Sequence, residues 1–197
     1  MNEAARQVLA RVAEAVGYDK THLTRVVAYR EIDAFLDGLG TDRLNCLEIA
    51  AGWKWRQRAW ASFTEMNWPE HDICSDLLDR QFDVVIADNV FEHLRYPWRA
   101  ARNVHAMLRP GGWFINLTPF LIRRHAVPID CTRWTETGML HLLEEAGFDA
   151  GRIRTGSWGN AAAVRANFRR WARAGWQRRL ANDPDLPVTV WAIAQKP

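Results

Sequence analysis

FDVVIADNVFEHLRYPWRAARNVHAMLRPGGWFI, residues 82–115, decides the fold. The run Val84-Val85-Ile86-Ala87 has the length and β-branched content of a parallel strand buried on both faces. Asp88 and Asn89 follow at once, at the carboxyl end of that strand, where open α/β sheets place their ligands. Pro97 suits the first turn of a helix, and an amphipathic segment runs from it to Arg109-Pro110-Gly111-Gly112. A second apolar run, Trp113 to Leu117, completes a strand–helix–strand unit.

Outward from this unit the same alternation continues. Upstream, Ala5, Val8, Leu9, Val12 and Val16 are spaced for one helical face, and Gly17 ends that run. A second helical pattern covers residues 20–38 through Leu23, Val26, Val27, Ile32, Phe35 and Leu36. Leu44 to Ala50 reads as a strand, Gly52 as a turn, and residues 54–60 as a helical piece. A short strand around Trp60 to Glu65 and a polar turn over residues 67–71 lead to Asp76-Leu77-Leu78. Downstream, an irregular loop covers Thr118 to Arg133, and a helix over residues 135–146 has Thr135 as N-cap and Gly147 beyond its end. A strand over residues 152–157, a basic helix over residues 161–180 and a last strand over residues 188–194 complete the chain. Strands alternating with helices predict a mostly parallel sheet covered on both faces.

The length of 197 residues suits one domain, read here as a helical N-terminal cap over residues 1–40 and an α/β core over residues 41–197. Hydrophobic residues at 48% and charged residues at 25% are ordinary for a globular protein, and a net charge of +3 is too small to argue for nucleic acid. No apolar run approaches the roughly 20 residues that span a bilayer, and the charged N-terminus lacks the apolar centre of a secretory signal. Cys46, Cys74 and Cys131 are widely spaced, which argues against a disulfide framework and a zinc site and for a reduced, cytoplasmic protein.

The spelling FDVV…EHL…MLRPGGWFI resembles the middle of the S-adenosylmethionine-dependent methyltransferases of the Rossmann-like class. The resemblance spans roughly residues 44–150, and the final strand VTVWAIAQK also fits. It implies a doubly wound sheet of seven strands, S-adenosylmethionine as cofactor and no metal. Leu47-Glu48-Ile49-Ala50-Ala51-Gly52 looks like the family's nucleoside-binding turn, an acidic residue followed by alternating glycines. By that resemblance Glu48 orients the methionine end of the cofactor, while Ala50 and Gly52 line the turn. Ala50 departs from the pattern, and Trp53 and Lys54 stand where small residues are usual. Glu65 would bond the ribose hydroxyls, with Thr64 and Asn67 as register competitors. Asp76 would accept the adenine amine and Leu77 would pack on the ring, with Asp72 as competitor. Asp88, Asn89 and Val90 would pass under the methyl donor.

Catalytic candidates lie just beyond. His93 is a residue type suited to act as a general base, although Glu92-His93 equally suits a loop-holding role. Residues 125–134, HAVPIDCTRW, follow the last strand of the quoted stretch and resemble the His-x-x-Pro-x-Asp loop of one methyltransferase subgroup. His125 is read as a base assisted by Asp130, with Arg133 and Trp134 as acceptor contacts; the alternative is an Asp130–Arg133 ion pair that folds the loop. Tyr18, Tyr29 and Arg30 are the polar candidates of the N-terminal cap. The histidines and carboxylates show no compact ligand spacing, so no metal is expected. In VRANFRRWARAGWQRRL, Arg165, Arg169 and Arg173 share one helical face, with Phe168, Trp171 and Trp176 interleaved. The segment reads first as a surface helix and second as an anion or nucleic-acid contact. The favoured activity is O-methylation of a small molecule, an anionic one among the candidates, with N-methylation second, by a monomer or homodimer. The competing readings are a non-catalytic binding protein on the same fold and a nucleic-acid methyltransferase.

Overall fold

The computed structural model describes residues 12, 15–175 and 180–197. The helix expected over residues 2–16 lies almost wholly outside the described residues, as does Trp176. The strands are β1 (Asp19–His22), β2 (Asn45–Ile49), β3 (Ser62–Met66), β4 (Phe82–Asp88), β5 (Leu108–Pro119), β6 (Ile153–Trp158), β7 (Arg173–Gly175) and β8 (Thr189–Gln195). The α-helices are α1 (Val26–Leu39), α2 (Pro97–Met107), α3 (Glu136–Glu145) and α4 (Ala161–Arg169). Six strands form one sheet in the order β3-β2-β4-β5-β8-β6, and β1 pairs with β7 in a separate two-stranded ribbon. Only β8 runs against its neighbours in the large sheet.

Period-2 alternation along the strands feeds two cores, one on each face. Leu47, Val85, Ala87 and Phe114 point to the face covered by α2 and α3, where they meet Ala101, Val104, Met139 and Leu143. Cys46, Val84, Ile86 and Ile115 point to the face covered by α1 and α4, where they meet Ile32, Leu36, Trp55 and Ala163. The sheet is thus wound on both sides, as expected. Thr135 caps α3 by accepting the Gly138 N–H at 3.0 Å, and Pro97 opens α2. At Gly112 an added Cβ would stand 2.9 Å from the Arg109 carbonyl and 3.1 Å from that of Asp83, so β5 approaches β4 there only because the side chain is missing.

Four expectations are corrected. The large sheet has six strands, not seven: residues 72–78, between β3 and β4, hold a turn over residues 73–75 and no strand. There the Asp72 N–H donates to Asp76 Oδ2 (2.7 Å) and the Cys74 N–H to Asp72 Oδ1 (2.9 Å), so side chains satisfy groups that a strand would have used. The helix expected over residues 20–38 starts only at Val26, because residues 19–22 pair with β7. Residues 54–60 contain a single 3-10 turn, Trp55–Gln57, rather than a helix. The basic helix ends at Arg169, and Arg173 lies in β7, so the three arginines do not form one helical stripe. Among the described residues no helix is long and apolar enough to cross a membrane.

Candidate active site

The carboxyl ends of β2 and β4 lie side by side, with Glu48 opposite Ile86 in the register. Glu48 is buried, and its Oε1 accepts the Gly52 N–H at 3.0 Å while Oε2 has no partner among the described residues. Burial pushes its carboxyl from 4.5 up to about 7, aided by nearby Asp88 and opposed by the Gly52 hydrogen bond and by Arg56. Ala50 adopts φ 53°, the left-handed conformation a glycine would take without strain. The replacement of glycine therefore leaves the path of the turn unchanged. The Ala50 N–H bonds the Met66 carbonyl and the Ala51 N–H bonds Asn67 Oδ1, tying the turn to the end of β3. The bulky residues do not crowd it: Trp53 is 67% exposed, and Lys54 swings out to Asp33 at 2.6 Å.

Asp88 ends β4 inside a cage of donors. Its Oδ2 accepts from the Tyr29 hydroxyl (2.6 Å) and from Trp55 Nε1 (3.1 Å), its Oδ1 accepts from Asn89 Nδ2 (2.6 Å), and Arg25 Nε lies at 3.8 Å. Burial and this carboxylate together push the Tyr29 hydroxyl far above its ordinary value, so it stays protonated; it donates to Asp88 and accepts from Arg25 Nη1 at 3.3 Å. Asn89 takes φ 56°, a conformation asparagine tolerates, which turns the chain sharply beyond the strand. Val90 is buried beneath.

The other predicted cofactor positions lie at the β3 edge. Glu65 pairs with Arg56 and accepts from Asn67 Nδ2 at 3.2 Å. Asp76 is held in its turn by the Asp72 N–H, which lowers its pKa, and Leu77 beside it is 57% exposed.

The short 3-10 turn Phe91–His93 and the loop over residues 120–135 meet face to face. The main-chain carbonyl of Glu92 accepts N–H groups from Cys131 (2.7 Å) and Thr132 (3.2 Å), and the Thr132 hydroxyl donates to the Phe91 carbonyl. Glu92 is fully buried, with Oε1 3.6 Å from His93 Nε2 and 3.5 Å from His125 Nδ1. The two imidazoles stack edge to face at 4.6 Å between centroids. The sequence expectation paired His125 with Asp130. In the structure Asp130 accepts from the His125 main-chain N–H (2.7 Å) and from both Arg133 nitrogens, while the imidazole faces Glu92. Burial favours the neutral Asp130 carboxyl, but the Arg133 and His125 donors outweigh it and lower the pKa.

Two cavities flank these groups. One of about 170 Å³ is lined by His22, Arg25, Asn89, Ile122, His125 and Trp171, so the β1–β7 ribbon roofs the space between Asn89 and His125. The other, about 340 Å³, is lined by Tyr29, Arg30, Asp33, Trp53, Lys54 and Arg58 among others. Tyr29 and Arg30 line this second cavity, whereas Tyr18 packs at the ribbon beside Gly175 and Arg133 is held by Asp130. Trp134 is placed in the core, edge-on to Trp98 at 5.5 Å, and lines neither cavity. Sequence reading missed His22, Arg25 and Trp55, and placed Trp171 in a basic helix rather than at the 170 Å³ cavity. They come from remote segments, and no local motif marks them.

Residues 46–114 match the family model described as the methyltransferase domain. No curated protein matches the chain. Among solved structures it is similar to an S-adenosylmethionine-dependent methyltransferase from Mesorhizobium loti, at 16% identity over 88% of this chain and 100% of that one, with a TM-score of 0.59. A SAM-dependent methyltransferase from Archaeoglobus fulgidus aligns at 12% identity over 87% of this chain and 94% of that one, TM-score 0.56. Phosphoethanolamine N-methyltransferase 2 of Haemonchus contortus, solved with S-adenosyl-L-methionine, aligns at 12% identity over 86% of this chain and 53% of that one, TM-score 0.59. It was also solved with phosphomonomethylethanolamine and S-adenosylhomocysteine. At these identities the likeness concerns the fold.

Proposed function

We propose that the chain is a class I, Rossmann-like S-adenosylmethionine-dependent methyltransferase, as the family-model match over residues 46–114 and the shared fold support, and that its acceptor is a small anionic molecule methylated on oxygen, with nitrogen as the second form of the same reaction. The observation that carries this reading is the 170 Å³ cavity, which brings Asn89 at the end of β4 and His125 from the opposite loop to one space. Arg25 and His22 on its walls suit a negatively charged acceptor. The Haemonchus neighbour, solved with a phosphorylated amine, supports that class without naming the compound.

In this reading the cofactor lies over the ends of β2, β3 and β4. Glu48 faces its methionine end, Ala50 and Gly52 let the backbone approach, Glu65 meets the ribose, and Asp76 with Leu77 meets the adenine. Asp88, Asn89 and Val90 floor the methyl. A sulfonium methyl is already reactive, so the protein mainly holds nucleophile, carbon and sulfur in line. An acceptor hydroxyl must also lose a proton, and His125 is the group at the cavity that takes it, with Glu92 behind Nδ1 and His93 alongside. Asp130 and Arg133 act as positioning residues that fold the loop carrying His125. Tyr18, Tyr29 and Arg30 bound the side of the site nearest the N-terminus.

Calorimetry with S-adenosylmethionine, followed by transfer of radiolabelled methyl to a panel of phosphorylated alcohols and amines, tests the reading. Stoichiometric cofactor binding and a labelled phosphorylated product are expected. Absence of binding at millimolar cofactor overturns the assignment. A His125→Ala protein that binds cofactor and keeps full turnover overturns the role of His125.

A further inference from the structure

We propose that Glu92, His93 and His125 form a binding site for a divalent first-row transition metal ion, of which zinc is the natural probe. One donor atom from each residue lies within 4.8 Å of the others. Glu92 is fully buried, and neither carboxylate oxygen has a hydrogen-bond partner among the described residues; His125 Nδ1 is likewise buried without one. A buried carboxylate left in this condition is strongly destabilising unless a cation stands beside it.

The spacing identifies the cation. A hydrogen bond between Glu92 and either imidazole would need about 2.7–3.2 Å. The observed separations are 3.6 Å to His93 Nε2 and 3.5 Å to His125 Nδ1. Ligands held about 2.0–2.1 Å from a tetrahedral ion lie roughly 3.3–3.4 Å from one another. Both imidazole nitrogens thus stand from the Glu92 oxygen at close to a ligand–ligand spacing and beyond hydrogen-bond length, and all three donors lie within 4.8 Å of one another.

The surrounding structure holds them for that purpose. His93 Nδ1 faces the Ile129 carbonyl. A carbonyl only accepts, so this nitrogen carries the proton and Nε2 presents its lone pair toward Glu92, the arrangement that outer partners impose on metal-bound histidines. The Glu92 main chain is pinned by Cys131 and Thr132 from the same loop that bears His125. Two imidazoles and a carboxylate select zinc, iron or manganese over calcium or magnesium. Three protein ligands leave a coordination position free, as in catalytic rather than closed structural sites. Because His125 also lines the 170 Å³ cavity, an oxygen of the acceptor or a water is the chemistry suited to that position; with Nδ1 on the ion the His125 imidazole would no longer serve as base, and the ion would replace it by lowering the pKa of the bound oxygen.

The test is calorimetric titration of chelator-treated full-length protein with zinc chloride, with cobalt absorption as the spectroscopic readout. One equivalent of zinc is expected to bind, to raise the melting temperature and to be matched by d–d bands of a cobalt complex with nitrogen and oxygen donors. Glu92→Gln and His125→Gln should each weaken zinc binding by more than about tenfold, a loss that even outer partners can cause. His71→Gln, remote from the site, should bind as the parent does. No stoichiometric zinc binding by the parent overturns the proposal. Binding that survives undiminished in His125→Gln overturns it equally, and this exposed-loop variant guards against a fold defect in Glu92→Gln. S-adenosylmethionine binding, measured separately, decides the methyl-transfer reading whatever the metal result.

Discussion

Single residues carry most of the strain and charge of the site. Ala50 at φ 53° bears about 1–2 kcal/mol of left-handed strain, partly offset in a glycine by about 0.4–1 kcal/mol of unfolded-chain entropy. Ala50→Gly should therefore raise stability by roughly 0.5 kcal/mol, read from the urea midpoint, and should not weaken cofactor binding. Glu48 has its carboxyl raised from 4.5 to about 7, so the folded chain holds that proton more tightly than the unfolded one. Its contribution to stability is greatest below the unfolded value and is lost as pH rises through about 7. Glu48→Gln should flatten the pH dependence of the melting temperature in this window. The cationic methionine end of the cofactor would pull the carboxyl back down, so S-adenosylmethionine binding near pH 6.5 should release a proton. Titration in two buffers of different ionisation enthalpy would show that release as a difference in apparent heat. Tyr29→Phe deletes one donor to buried Asp88, and a loss of about 1–2 kcal/mol is expected from chemical denaturation.

At the scale of elements, the β1–β7 ribbon and the β6–β8 edge do different work. The ribbon brings Trp171 to 5.0 Å from the His125 ring and 6.3 Å from that of His22. Trp171→Ala should raise the acceptor KM by about tenfold, the scale of one lost aromatic contact, while the cofactor Kd stays unchanged. At the other edge, a Cβ on Gly159 would stand 2.0 Å from the Leu186 carbonyl and 2.5 Å from the Val188 nitrogen. Neither backbone atom can yield without disturbing the entry to β8, so Gly159→Ala should lower stability by about 1–3 kcal/mol or more, measured by thermal denaturation. These elements also show the reach of sequence reading. The strands from β4 to β5 and helix α2 were legible because each buries a face whose period is written locally. The ribbon was not, because the groups satisfying β1 lie in residues 173–175, and no periodicity in residues 19–22 announces a partner so distant.

For the whole molecule, the balance of charge and the distribution of arginines bear on partner class. With α4 ending at Arg169 and Arg173 diverted into β7, no continuous basic stripe exists among the described residues. The protein should therefore show no strong, salt-sensitive binding to RNA or DNA in filter-retention assays, in contrast to a nucleic-acid enzyme that neutralises many phosphates.

The order of strand, turn and helix from Phe82 to Gly147 was determined by the sequence alone, since hydrophobic period, Pro97, Thr135 and the glycines act over a few residues. So was the position of Asp88–Val90 at a sheet edge, which follows from a buried run ending in polar residues. Tertiary structure alone decided which groups meet. It gave His125 the carboxylate of Glu92 instead of Asp130, and it enclosed Asp88 with Tyr29 and Trp55. It also left the large sheet with six strands instead of the seven that the resemblance implied. The physical reason is one of range: propensity and periodicity are properties of neighbouring residues, whereas hydrogen bonds and charge pairs form between whatever side chains the packed sheet brings within about 4 Å.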